Sequence, residues 1–123
     1  MTMQRMELLA PAGGMEQLKA ALRFGADAVY GGLSRHSLRA FAGNFDAAAL
    51  PEAVRLCHAQ GARFYAAINA LATDGELADF VDTAREALEA GVDAAIVADV
   101  GVAAELRRQV PGLALHLSTQ LSV

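Results

Sequence analysis

The sequence predicts an α/β fold, a partial (β/α) barrel of the TIM type with about five parallel strands and four helices. Three observations predict it. Short apolar runs alternate with amphipathic helical stretches, which implies parallel strands joined by right-handed crossovers. Each strand-like run has one apolar parity and one parity carrying a few polar groups, as expected where one face meets helices and the other lines a barrel; a doubly wound sheet, which gives the same alternation, is apolar on both faces. The 123 residues amount to about half of the ~250 that a complete barrel takes.

The elements follow in order. Residues 6–12 read as a strand and 14–24 as a helix, with Met15, Leu18 and Leu22 on one face and Gly25 just past its end. Residues 26–32 form the second strand, and a loop rich in Ser, Arg and Gly runs from 33 to 45. The second helix reaches Gln60 and starts either at Asp46 as N-cap or near Leu50, which would put Pro51 in the favourable first turn. Residues 62–69 are the third strand. Residues 76–90 are the clearest helix, with Leu77, Phe80, Val81, Ala84 and Leu88 at helical spacing. The fourth strand covers 92–99, a helix covers about 101–110 before Pro111-Gly112, and 113–120 is the fifth strand. Gly25-Ala26-Asp27-Ala28 and Gly91-Val92-Asp93-Ala94 form a weak repeat between a helix end and a strand start. No linker divides the chain, so residues 1–123 are expected to be one domain.

Composition narrows the function classes. With 54% apolar and 20% charged residues the chain is folded rather than disordered. A net charge of −4 and a pI near 5.2 give no electrostatic case for tight binding to a phosphate backbone by these residues alone. A lone cysteine, Cys57, excludes an internal disulfide or a cysteine-only metal site and is expected as a buried thiol. No apolar run reaches the ~20 residues of a membrane span, and no signal-peptide pattern is present, so a cytoplasmic location is expected.

Polar residues late in the strands mark the candidate site, because parallel barrels carry their chemistry at the C-terminal ends of the strands. Asn69, Asp99, Ser118 and Gln120 are expected to ring that mouth, with His116 and Glu7 one layer deeper and Tyr30 on the polar parity of the second strand. His116 is a candidate general acid/base, or else a hydrogen-bonded core histidine. Asp99 is a candidate general base or a cap for the following helix. A buried Glu7 would need a partner such as Arg39, His116 or Tyr65. Arg39 suits a carboxylate or phosphate, and Asn44 shares its loop. Asp27 and Asp93 lie at the opposite end, where a structural role is expected.

Glu7-Leu8-Leu9-Ala10-Pro11-Ala12-Gly13, Gly25-Ala26-Asp27-Ala28-Val29-Tyr30, Ser37-Leu38-Arg39-Ala40, Ala42-Gly43-Asn44-Phe45, Ile96-Val97-Ala98-Asp99 and Leu115-His116-Leu117-Ser118-Thr119-Gln120 occur in one order along the whole chain. Together they resemble the opening of peptidase family U32, the collagenase-like peptidases. The resemblance implies an N-terminal barrel region of a longer protein. It also implies either peptidase activity or the oxygen-independent hydroxylation of RNA bases or quinone precursors attributed to other members. Those members hold an iron–sulfur cluster through cysteines downstream of the matched stretch; Cys57 matches none of them, so no cofactor is expected in this chain. The substrate class stays open between peptide, RNA and small molecule.

Two other readings stand beside it. Unpaired edges on the first and fifth strands would promote association, so a half-barrel that pairs with itself or with a second subunit is one alternative. An aldolase-type enzyme is the other, opposed by the absence of a lysine at any strand end; the one lysine, Lys19, lies on a helix.

Overall fold

Alternating periodicity becomes alternating structure in the computed structural model, which describes residues 7–33, 44–45, 48–68, 77–97 and 100–117. In order these form β1 (Leu9–Pro11), α1 (Met15–Arg23), β2 (Ala28–Leu33), β3 (Asn44–Phe45), α2 (Leu50–Ala59), β4 (Arg63–Ala67), α3 (Leu77–Ala90), β5 (Ala94–Val97), α4 (Val100–Gln109) and β6 (Leu115–Leu117). Every strand pair is parallel. The sheet order β1-β2-β4-β5-β6 follows the chain without reversal. A doubly wound sheet reverses its strand order at a switch point; this one does not, so the winding is that of a barrel. Within the described residues β1 and β6 each have one sheet neighbour.

β3 was expected as loop. Gly32 pairs with Ala67 on one edge and with Asn44 on the other, so β3 takes the edge of β2 beyond the end of β1. Two residues are too short to carry a visible alternation. α2 starts at Leu50 with Pro51 in its first turn, where a missing N–H costs nothing.

All four helices cover one face of the sheet. Leu18 and Leu22 of α1, Leu50, Val54 and Cys57 of α2, Val81, Ala84 and Ala87 of α3, and Val102 and Leu106 of α4 join Val29, Phe64, Ala66, Ala95 and Val97 in one core. On α3 the buried stripe runs through Ala87, leaving the expected Leu88 at 38% exposure. The opposite face holds a small separate cluster of Ala28, Tyr65 and Ala94, with Tyr30 and Ile96 against it. One expected parity is corrected. Asp99 suggested that Ala95 and Val97 share the barrel interior, but they pack on the helices while Ala94 and Ile96 face inward. Side chains flip faces at every residue, and burial of Ala95 and Val97 sets the phase. No described helix is long and apolar enough to cross a membrane.

The Gly-x-Asp-Ala repeat has a structural counterpart. The Asp27 carboxylate accepts from the Leu8 N–H at 2.8 Å while the Asp27 N–H donates to the Leu8 carbonyl at 2.8 Å. Asp93 treats Phe64 identically, at 2.8 and 2.9 Å. Each aspartate thus staples the start of its strand to the preceding neighbour in the sheet. Gly25 and Gly91, with φ of 92° and 94°, make the left-handed turn that brings the chain from helix end to staple. The expected structural role of both residues is what the fold displays.

Candidate functional site

Register turns the inward face into rows of side chains. Leu9, Ala28 and Arg63 form the row nearest the N-terminal ends. Pro11, Tyr30, Tyr65 and Ala94 form the next. Gly32, Ala67, Ile96 and His116 form the row at the C-terminal mouth, which the backbone of Asn44 extends through Gly32.

His116 is exposed in this row. Its ring meets the edge of Tyr65 with centroids 5.1 Å apart and planes at 61°. Tyr65 is 7% exposed. The neighbouring Tyr65 side chain, chiefly through hydrogen bonding and then electrostatically, followed by the charge of Glu7, holds the Arg63 guanidinium further above its usual range. A polar line therefore runs up the barrel interior, from Glu7 and Arg63 through Tyr65 to His116.

Of the predicted site residues, His116 lies in the last described row towards the C-terminal ends and Tyr30 in the row beneath it. Glu7 is corrected: it is exposed rather than buried, precedes β1 at the N-terminal end, and its charge acts on Arg63; Arg39, one of its expected partners, lies outside the described residues. The backbone of Asn44 lies in the mouth row. Arg39, Asn69, Asp99, Ser118 and Gln120 lie outside the described residues; in the sequence each follows the last residue of a strand. Reasoning from sequence missed Arg63. The available signal was its position two residues before Tyr65, on the same strand face.

At the opposite end His58 Nε2 lies 2.8 Å from the Asp93 carboxylate, so His58 has a partner there, far from the mouth along the strands. On the helix side of the sheet, Val100, Ala103 and Arg107 of α4 face Leu113, Leu115 and Leu117 across a cavity of about 550 Å³. The residues present do not fit the iron–sulfur cluster that the resemblance implies. Cys57 is fully buried in α2, where burial, and secondarily the charge of Asp93, pushes its thiol up to about 11. Cluster ligands are thiolates, and this side chain is held as the thiol away from the barrel interior. Among the described residues no group of His, Cys, Asp and Glu is arranged to hold a metal ion.

A sequentially ordered parallel sheet with helices on one face and a histidine at its C-terminal mouth defines a (β/α)-barrel protein. More particularly, the chain belongs to peptidase family U32, whose family model matches residues 13–123. It is 36% identical over 114 residues to tRNA hydroxylation protein P of Escherichia coli K12, covering 93% of this chain and 25% of that protein. It is 39% identical over 122 residues to tRNA hydroxylation protein P of Helicobacter pylori strain 26695, covering 98% of this chain and 29% of that protein. A third relative, named Collagenase, from Porphyromonas gingivalis W83, is 34% identical over 124 residues, covering 100% of this chain and 30% of that protein. The chain thus spans less than a third of the length of these relatives.

Proposed function

We propose that these residues form the first βα units of a longer U32 barrel protein that hydroxylates a base of tRNA. The observation that carries the reading is the identity of 36–39%, over nearly the whole chain, to relatives named for tRNA hydroxylation. The geometry fits a role in presenting the base. His116 stands in the last described row before the C-terminal mouth, where parallel barrels react, and an imidazole there can accept or donate a proton. In the sequence Arg39, Asn69, Asp99, Ser118 and Gln120 come after strands and Asn44 begins β3; their side chains are of the hydrogen-bonding kinds suited to a base edge or a ribose. The acidic balance of these residues, −4 overall, assigns the grip on the phosphate backbone to other parts of the polypeptide. The redox chemistry likewise belongs to a group held elsewhere.

The test is complementation. The full polypeptide carrying these residues is expressed in an Escherichia coli strain lacking its own tRNA hydroxylation protein P, and digested tRNA is analysed by mass spectrometry. Return of the hydroxylated nucleosides is expected; their absence with the protein present and soluble overturns the proposal. The competing reading, peptide-bond hydrolysis, comes from the relative named Collagenase. Gelatin cleavage by the purified polypeptide, with no change in tRNA, would put that reading in its place.

A further inference from the structure

We propose that Tyr65 is a positioning residue that fixes the ring of His116 at the mouth, and that Ala94 is the gap that lets the two rings meet. The inference rests on the reading of the mouth as the reacting end. β4 and β6 are separated by β5, and two strand spacings of ~4.8 Å put their backbones ~9.6 Å apart. The ring centroids are nevertheless 5.1 Å apart, so the two side chains converge across β5. In the row of Tyr65, β5 contributes only the methyl of Ala94. A bulkier residue, of the branched kind that usually fills barrel interiors, would occupy that space.

Tyr65 suits the task because it is itself fixed. It is nearly buried on the central strand, packed with Ala28 and Ala94 and against Tyr30 and Ile96. His116, by contrast, is exposed on the last described strand. Its imidazole has staggered alternatives that an edge-to-face contact can choose among. Tyr65 reaches the reaction only through His116, so it acts on turnover and not on binding.

The experiment uses the full polypeptide, labelled at histidine Cε1, with the His116 resonance assigned by its loss in His116→Gln. Tyr65→Leu should move that resonance towards the position of a free histidine and lower kcat about tenfold, leaving KM for tRNA within about twofold. Ala94→Val should do the same with both rings left in the sequence. Tyr65→Phe, which keeps the ring and gives up only the hydroxyl, should restore most of both readouts. An unmoved His116 resonance in Tyr65→Leu overturns the contact. A moved resonance with unchanged kcat overturns the link to turnover. Failure of the functional reading is distinct: wild-type protein then hydroxylates no tRNA, while the resonance comparison still decides the contact.

Discussion

Gly31→Ala isolates a single steric fact of this sheet. Gly31 lies in the middle of β2 with its missing side chain directed at the helix-covered core. An added Cβ would overlap the ring of Phe45 and sit 3.2 Å from the Ala12 carbonyl oxygen. Phe45 has little room to yield, being 1% exposed and edge-on to Phe64 with centroids 5.4 Å apart and planes at 87°. The backbone angles of Gly31 are open to alanine, so chain entropy alone would favour the substitution by about 0.5–1 kcal/mol. Overpacking a filled core costs about 1–3 kcal/mol, and the steric term should win. Equilibrium urea unfolding of Gly31→Ala should therefore show a lower midpoint at unchanged slope. Shortening the offending ring in Gly31→Ala/Phe45→Leu should recover part of the loss, with a coupling of about 1 kcal/mol. A neutral or stabilising Gly31→Ala, or strict additivity in the double variant, would refute the packing of the Phe45 ring over Gly31.

Further outcomes follow from other contacts. Asp93→Ala removes the acceptor of the Phe64 N–H and of His58 and should cost about 2–3 kcal/mol. His58→Ala, losing only a half-exposed pair, should cost about 0–1 kcal/mol; equal losses in thermal melts would contradict the staple. Cys57 should resist iodoacetamide at pH 8 until the protein unfolds. Its native thiol ionises near 11 against an ordinary value of 9.0, so the neutral form is favoured by folding. Its contribution is then intact below pH 9 and declines between pH 9 and about 11. Wild type minus Cys57→Ala stability across that window should show the decline, and a flat difference would contradict it.

The order of strands and helices was legible because each carries its own period, and the helix ends because Gly25 and Gly91 mark them. The Gly-x-Asp-Ala repeat was legible as structural, although its pairing with Leu8 and Phe64 depends on register that no local pattern encodes. β3 was hidden by its two-residue length. The phase of β5 was misread because one polar residue, Asp99, outweighed Ala95 and Val97 in the pattern, whereas packing against helices weighs the reverse. Glu7 was placed deep by parity alone. Parity gives a face and not a depth, and the residue precedes the first strand pair. The Tyr65–His116 contact was unreadable because the two rings meet across β5, between strands whose neighbours are fixed only by topology.

The proposed role of His116 in processing a tRNA base is decided by measuring hydroxylated nucleoside in tRNA from cells carrying His116→Ala. Arg85→Gln, on the outer helix α3 and paired there with Asp82, serves as the surface control. His116→Ala should lose at least about tenfold and the control nothing, at equal protein levels. Full hydroxylation with His116→Ala would contradict it.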